Sequence, residues 1–148
     1  MLKKTAMIFG ISGQDGSLLA RFLIKKGYKI IGVSRKENIN NFSKLKKLKI
    51  YNKILLKKVN YLNYKEIYNL IKKSKCEEIY LLAGQSSVFK SFKISHKTVQ
   101  ENLFITTNVL ESIKNIGKKI KLYHAGSSEV FGDIHKKPCN EKSTFYPK

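Results

Sequence analysis

An open, doubly wound α/β fold built on a parallel sheet is the architecture that this sequence predicts. Two observations support it. Short apolar runs alternate with segments of helical periodicity, an order typical of βαβ units. The first apolar run, at residues 6–9, opens into three glycines at three-residue spacing, Gly10, Gly13 and Gly16, before an apolar helical pattern begins. A strand, a glycine-rich turn and a helix therefore start the fold.

The glycine turn is also the first candidate site. Because glycine has no Cβ, the backbone can turn sharply and approach a pyrophosphate, and the N-terminus of the following helix favours an anion. Three glycines can occur by chance in a βα turn, but these lie between a strand-like and a helix-like segment, the context that supports a binding turn. We expect Gly10, Gly13, Gln14, Asp15 and Gly16 to contact a dinucleotide.

Periodicity and turn residues predict the remaining elements. Gly27 and Gly117 each follow a helical pattern, where a left-handed residue commonly ends a helix. Residues 78–82 form a nearly continuous apolar run, as expected for a strand buried on both faces. Right-handed crossovers then give the strand order 3-2-1-4-5. The predicted elements after the first strand are helix 17–26, strand 28–33, a weak helical pattern within 37–52, strand 54–59, helix 64–73, strand 78–82, helix 95–117 and strand 120–124.

The helix predicted at residues 95–117 is the longest. Its apolar positions recur at helical spacing, and we expect them to form one core-facing stripe. The residues of this stripe are Val99, Leu103, Thr106, Leu110 and Ile113. Asn102 lies among them, either as a hydrogen-bonded core residue or as a site residue, and the residues alone favour the core interpretation.

Two further segments follow strands at the predicted carboxyl edge of the sheet, where open α/β sheets bind ligands. The tip of the second strand carries Arg35 and Lys36. An arginine there accommodates the 2′-phosphate of NADP, so we expect NADP, although Arg35 could be a solvated loop residue and Glu37 keeps NAD open. After the fourth strand come small and polar residues that permit close approach of a ligand, namely Leu82, Ala83, Gly84, Gln85 and Ser86.

Composition excludes several classes of protein. The net charge of +20 attracts nucleic acid, but the lysines are scattered and the arginines are only Arg21 and Arg35, so we expect no specific nucleic-acid partner. No apolar run approaches the ~20 residues of a membrane span, and we expect a cytoplasmic protein. Cys76 and Cys139 have no metal-ligand spacing, so both are predicted to be free thiols and no metal is expected.

Three blocks carry a family resemblance. Residues 10–17 read G-I-S-G-Q-D-G-S, similar to G-I-T-G-Q-D-G-S of the GDP-mannose 4,6-dehydratases. Residues 82–88 read L-A-G-Q-S-S-V, similar to their L-A-A-Q-S-H-V, and residues 125–132 read A-G-S-S-E-V-F-G, similar to their A-S-T-S-E-L-Y-G. Over essentially its whole length, the chain resembles the N-terminal, cofactor-binding part of this branch of the extended short-chain dehydrogenase/reductase family, with a Rossmann-like fold.

The resemblance implies an NADP-dependent dehydration of GDP-mannose, a nucleotide sugar, to GDP-4-dehydro-6-deoxymannose. In the family, a tyrosine deprotonates the 4-hydroxyl while hydride leaves C4, a glutamate removes H5, water leaves C6, and the hydride returns to C6. By motif, Ser127 matches the hydroxyl residue at the reacting oxygen and Glu129 matches the acid/base. Asn102 matches the family's active-site asparagine, here assigned to the cofactor region. Full-length members of the family are usually homo-oligomers.

The chain also departs from the family. Phe9 replaces a threonine, Tyr61 replaces an aspartate near the adenine, and Ser87 replaces a histidine. Residues 145–148 resemble F-Y-P-R, after which the family's Tyr-x-x-x-Lys pair and its C-terminal substrate domain should follow. We therefore expect residues 1–148 to be an incomplete NADP-binding domain that is inactive alone. The alternatives are another nucleotide-sugar dehydratase or epimerase, and a noncatalytic dinucleotide-binding module.

Overall fold

Five parallel strands form one sheet in the structure, which is a computed structural model describing residues 3–35, 42–85, 87–132 and 138–147. The strands lie in the order β3-β2-β1-β4-β5 and are parallel at every pairing. The predicted fold class and strand order are therefore confirmed. The strands are β1 Thr5–Phe9, β2 Lys29–Arg35, β3 Ile54–Val59, β4 Glu78–Leu81 and β5 Lys121–His124.

Five α-helices within these described ranges connect or flank the strands. The first begins three residues earlier than predicted, because the end of the glycine turn is already helical. The fourth has only six residues, too few to show a helical period in the sequence, and was not predicted. Single 3-10 turns occur at Tyr51–Lys53 and Ser128–Phe131. The helices are α1 Gln14–Lys25, α2 Ser43–Lys47, α3 Tyr64–Ser74, α4 Val88–Lys93 and α5 Ser95–Ile116.

The central strand β1 is buried on both faces. Successive side chains of a strand point to opposite faces, and they enter two separate cores. Ala6 and Ile8 pack in the core formed with α1 and α2, whereas Met7 and Phe9 pack in the core formed with α3 and α5. All four side chains are fully buried. Helices therefore cover both faces of the sheet, and β1 is fixed from both sides.

The predicted core-facing stripe of α5 is wrong. Val99, Leu103 and Leu110 are 64%, 56% and 50% exposed. Thr106 and Ile113 of the same stripe are half-buried. The helix instead packs through a neighbouring stripe in which the side chains of Asn108 and Ser112 form hydrogen bonds, whereas the buried Thr98 hydroxyl has no partner among the described residues. The buried residues of α5 are Thr98, Ile105, Asn108, Val109 and Ser112.

Strand β4 is buried less completely than its apolar run predicts. Ile79 and Leu81 are buried, but Glu78 and Tyr80 are half-buried. The reason is that Tyr80 lies on the side of the sheet that α1 and α2 cover, and α1 packs mainly on β1 and β2, so this face of β4 is covered incompletely. The prediction that this strand is buried on both faces is therefore correct for only one face.

Three further features of the described residues concern the cysteines, metal ligands and membrane-spanning helices. Cys76 and Cys139 are both free, as predicted, and burial raises the pKa of the Cys76 thiol. Within the four described ranges, no three His, Cys, Asp or Glu residues are grouped so that they could hold a metal ion. No helix in the same ranges combines the length and the apolar character needed to cross a membrane.

Candidate functional site

A cleft of about 380 Å³ opens at the carboxyl ends of β1, β2 and β4. The chain leaves β1 toward β2 on one side, while β4 lies on the other, so this is the point where the strand order reverses. Open α/β sheets bind ligands at such a point. The described residues that line it are Gly10, Ser12, Gly13, Gln14, Asp15, Gly16, Ser34, Arg35, Tyr61, Leu82, Ala83, Gly84, Gln85, Glu101, Asn102 and Ile105.

The glycine turn forms one wall of the cleft, and its geometry requires glycine. Gly10 has a φ of +86°, and its N–H donates to the Val33 carbonyl at 3.1 Å. A Cβ on Gly10 would lie 2.8 Å from the Leu82 carbonyl oxygen, and a Cβ on Gly16 would collide with the Gly10 carbonyl oxygen. The turn is therefore closed against the loop after β4, with no space for side chains at these positions.

Helix α1 presents its N-terminus to this cleft. Its cap, Gly13, has no side chain that could accept a hydrogen bond from the first N–H groups of the helix. The first backbone hydrogen bond runs from the Ser17 N–H to the Gly13 carbonyl at 3.1 Å. The N–H groups of Gln14, Asp15 and Gly16 consequently have no partner within the helix. Unpaired N–H groups and the positive end of the helix dipole together favour an anion at this position.

Arg35 lines the cleft, but it does not lie there as a free cation. Its Nη1 is 2.7 Å from Oε2 of Glu101, which α5 places on the opposite wall. Sequence reasoning missed Glu101. The signal was its position next to Asn102 and one turn from Thr98 and Ile105, which makes it a charged residue at the edge of the buried stripe. The cleft thus contains one guanidinium that is already paired with a carboxylate.

Asn102 connects α5 to the loop after β4. Its Oδ1 accepts a hydrogen bond from the Gln85 N–H at 3.0 Å, and a Cβ on Gly84 would lie 3.3 Å from the same oxygen. Leu82 and Ala83 complete this wall. Asn102 therefore has a structural contact inside the cleft, so the core and site interpretations are compatible. Ser86, predicted with these residues, lies outside the described ranges, as do Lys36 and Glu37.

Tyr61 forms an aromatic part of the cleft wall. Its ring packs edge-on against Phe9 with centroids 6.1 Å apart, and its hydroxyl donates to the Val33 carbonyl at 3.3 Å. Both residues are buried. The two departures from the family pattern, an aromatic in place of a threonine and another in place of an aspartate, are therefore in contact with each other.

Ser127 and Glu129 follow β5 and do not line the cleft. Both are exposed, and the Ser127 Oγ accepts a hydrogen bond from the Glu129 N–H at 3.3 Å. The Ala125 N–H donates to the Leu81 carbonyl at 3.2 Å, so the chain leaves β5 beside the end of β4. The two predicted catalytic residues are thus brought to the same edge of the sheet as the cleft, but outside it.

The last described segment, residues 138–147, packs onto the turn that carries Glu129. The Tyr146 N–H donates to the Val130 carbonyl at 2.9 Å, and the rings of Phe131 and Phe145 meet edge-on with centroids 5.4 Å apart. This backbone and aromatic contact holds the 3-10 turn from its outer side. Tyr146 itself is 73% exposed.

Comparison with known proteins identifies the family to which the chain is similar. The profile of a family described as GDP-mannose 4,6 dehydratase matches residues 7–148. A GDP-mannose 4,6 dehydratase of Drosophila melanogaster is 36% identical over 98% of this chain, and a GDP-mannose 4,6-dehydratase of Vibrio cholerae serotype O1 is 35% identical over all of it. These alignments cover 39% and 42% of the two relatives, so the chain spans about two fifths of their length.

Similarity to solved structures concerns the fold. The crystal structure of dTDP-glucose 4,6-dehydratase from Bacillus anthracis, in complex with NAD, superposes with a TM-score of 0.79 at 21% identity. It covers 98% of this chain, which in turn covers 44% of that protein. At this identity the match supports the Rossmann-like architecture, independently of the sequence blocks.

Proposed function

The chain belongs to the GDP-mannose 4,6-dehydratase family, and we propose that its cleft binds NADP. We further propose that these residues form the cofactor-binding portion of an enzyme that converts GDP-mannose to GDP-4-dehydro-6-deoxymannose. The observation that supports both proposals best is the cleft itself, because its lining residues come from the glycine turn, the tip of β2 and the loop after β4. These are the positions at which a doubly wound sheet holds a dinucleotide.

The residues present fit such a cofactor. The cleft volume of 380 Å³ lies within the range of about 300–1,000 Å³ usual for ligand pockets. The N–H groups at the start of α1 would hold the diphosphate, and Arg35 would bind the 2′-phosphate through its guanidinium. Tyr61 and Ile105 supply apolar surface beside these polar groups. When bound, NADP would accept a hydride from the substrate and return it.

Ser127 and Glu129 are proposed to act on the sugar. A carboxylate can take and return a proton, and a hydroxyl can stabilise developing charge on an oxygen. Their position beside the carboxyl end of β4 supports this assignment, because a substrate next to the cleft could reach both residues. Their exposure leaves both side chains accessible to a substrate.

Cofactor affinity provides the first test. Nicotinamide fluorescence, titrated with the 148-residue chain, should give tighter binding of NADPH than of NADH. Arg35→Ala should reduce that difference by about tenfold, the usual value of a charge-assisted hydrogen bond. Arg21→Ala is the matched control, because Arg21 is the other arginine of the chain and lies exposed on α1 outside the cleft.

Each outcome of this titration has a separate meaning. Equal affinities for NADPH and NADH would remove the NADP proposal and leave dinucleotide binding intact. Equal effects of Arg21→Ala and Arg35→Ala would mean that Arg35 attracts NADPH only through the net positive charge of the chain and does not bind the 2′-phosphate directly. Binding of neither cofactor would contradict the proposed function as a whole.

A chimera tests the sugar chemistry. These 148 residues would replace the matching segment of the Vibrio cholerae relative, which aligns with the whole chain. We expect the chimera to dehydrate GDP-mannose, and Glu129→Gln to abolish turnover while NADPH affinity stays unchanged. Glu141→Gln, at another exposed glutamate, is the control. Full turnover of the Glu129→Gln chimera would exclude Glu129 as the acid/base.

A further inference from the structure

The Arg35–Glu101 ion pair connects the two walls of the cleft. Arg35 ends β2 and Glu101 lies on α5, with Nη1 and Oε2 2.7 Å apart. The Arg35 side chain is 42% exposed and the Glu101 side chain only 20% exposed. The carboxylate is therefore the more enclosed partner, and the guanidinium is the one that a ligand can reach from solvent.

Glu101 has a second cation nearby. Nζ of Lys97, one turn earlier on α5, is 3.8 Å from its Oε1. The carboxylate thus keeps a partner on its own helix if Arg35 turns toward a ligand. For Arg35, the ion pair found among the described residues is the one with Glu101.

From this arrangement we propose that Glu101 is a specificity-determining residue of the cleft, whose carboxylate competes with the cofactor's 2′-phosphate for Arg35. The inference rests on the proposed function, because it presupposes that the cleft binds a dinucleotide. A guanidinium binds phosphate through the same N–H donors that it offers to a carboxylate, and Glu101 already occupies a donor on Nη1. The 2′-phosphate of NADPH must displace the Glu101 carboxylate from Arg35 or share the guanidinium with it. If the guanidinium is shared, the phosphate lies beside a like charge. NADH has a neutral hydroxyl instead and leaves the pair intact.

Competition and positioning make opposite predictions. If Glu101 competes with the phosphate, removing its charge strengthens binding of NADPH and hardly affects NADH. If Glu101 instead holds Arg35 in the orientation that the phosphate needs, removing its charge weakens binding of NADPH. The short contact at Nη1 supports competition, because a phosphate that binds this nitrogen must displace the carboxylate or lie directly beside it.

The experiment uses Glu101→Gln in the 148-residue chain, with NADPH and NADH as probes. We expect the affinity for NADPH to rise about fivefold, as for a partly exposed ion pair, and the affinity for NADH to change less than about twofold. Glu111→Gln is the matched control, because Glu111 lies on the same helix, pairs with Lys114 at 3.8 Å and does not line the cleft. It changes the net charge equally, so it should alter neither affinity by more than about twofold.

A double-variant cycle isolates the pair. In the Arg35→Ala background, Glu101→Gln should no longer favour NADPH, because the contested guanidinium is gone. An NADPH affinity that is unchanged or lower in Glu101→Gln would overturn the inference, and so would an equal gain in the Arg35→Ala background. Glu101→Ala, checked for folding by circular dichroism, should reproduce the gain and provides a second variant.

The failure of this inference differs from the failure of the proposed function. A wild-type chain that binds NADPH but shows no gain with Glu101→Gln contradicts only the role of Glu101. A wild-type chain that binds neither cofactor contradicts the proposed function and this inference together.

Discussion

Gly10 and Gly27 have nearly the same backbone conformation in different surroundings. Their φ angles are +86° and +85°, in the left-handed region that favours glycine. A Cβ on Gly10 would lie 2.8 Å from the Leu82 carbonyl oxygen, whereas a Cβ on Gly27 would have no atom within 4 Å. Alanine at these two positions therefore separates backbone strain from steric collision.

Gly10→Ala should destabilise the protein more than Gly27→Ala. The left-handed conformation costs a non-glycine residue about 1–2 kcal/mol, and we expect this loss for Gly27→Ala. Gly10→Ala adds overpacking of about 1–3 kcal/mol, because the neighbouring atoms are backbone and cannot move aside. Urea unfolding monitored by circular dichroism measures both losses. Equal losses would mean that the loop after β4 shifts to accept the methyl group.

Tyr80 should be the site of a titration at high pH. Its hydroxyl donates to Oε2 of Glu78 at 3.0 Å, while the Tyr28 hydroxyl donates to Oε1 at 3.2 Å. Burial, followed by the hydrogen bond to Glu78, raises the pKa of Tyr80 to about 12. The folded state therefore holds the phenolic proton more tightly than the unfolded state, in which the pKa is about 10. Its contribution to stability is complete below about pH 10 and disappears between about pH 10 and 12.

Absorbance of the phenolate measures this titration. The wild-type chain should show a step near pH 12 that Tyr80→Phe removes. Tyr146→Phe, at a ring that is 73% exposed, should leave the step in place. A step near pH 12 that survives Tyr80→Phe would assign it to another tyrosine.

The residues of the cleft were predictable where they are local in sequence. The glycine turn follows β1 and Arg35 ends β2, so the position of both could be predicted from the strands alone. Glu101 was not predictable in this way, because its contact to Arg35 spans 66 positions and depends on how α5 is rotated. The same applies to the pairing of Phe9 with Tyr61, which only the folded chain reveals.

At the scale of elements, periodicity predicted the extent of α5 better than its orientation. The helix begins at Ser95 as predicted, and Gly117 ends it with a φ of +67°. Two adjacent stripes carry apolar residues, and the sequence favoured the more apolar one, in which Val99, Leu103 and Leu110 are exposed. Two polar members of the other stripe, Asn108 and Ser112, can be buried because their side chains have hydrogen-bond partners, which hydropathy cannot indicate. Similarly, α4 is too short for periodicity to detect.

Asn108 should be important for the docking of α5. Its Nδ2 donates to the Tyr61 carbonyl at 2.9 Å, in a buried position between the helix and the chain after β3. Asn108→Ala removes this donor and should lower the free energy of unfolding by about 1–3 kcal/mol. Asn115→Ala is the control on the same helix, because Asn115 is exposed and its loss should cost about 0.5 kcal/mol or less. Urea midpoints compare the two, and equal values would show that the buried bond contributes little.

At the scale of the molecule, the topology is what brings the cleft together. Strands β1, β2 and β4 are parallel neighbours, so their carboxyl ends converge at one edge. The order of elements determined this edge from sequence, and with it most of the lining residues. It also put Ser127 and Glu129 at the same edge, after β5, although their distance from the cleft depends on loop conformations that pattern does not specify.

Stability should depend strongly on salt, because the whole chain carries excess positive charge. Thirty Lys and Arg residues face ten Asp and Glu residues, and the net charge of +20 repels itself in the compact state. The Debye length falls from about 30 Å at 0.01 M to about 8 Å at 0.15 M salt, which screens repulsion between surface lysines more than the short contacts of the ion pairs.

We therefore expect the Tm to rise by about 2–6 °C over this range of NaCl, corresponding to a gain of about 1–2 kcal/mol for a chain of this size. Differential scanning calorimetry measures the change, and KCl should act equally because screening depends on ionic strength alone. A Tm that falls with salt would mean that the ion pairs of the ten acidic residues outweigh the repulsion among the thirty basic ones.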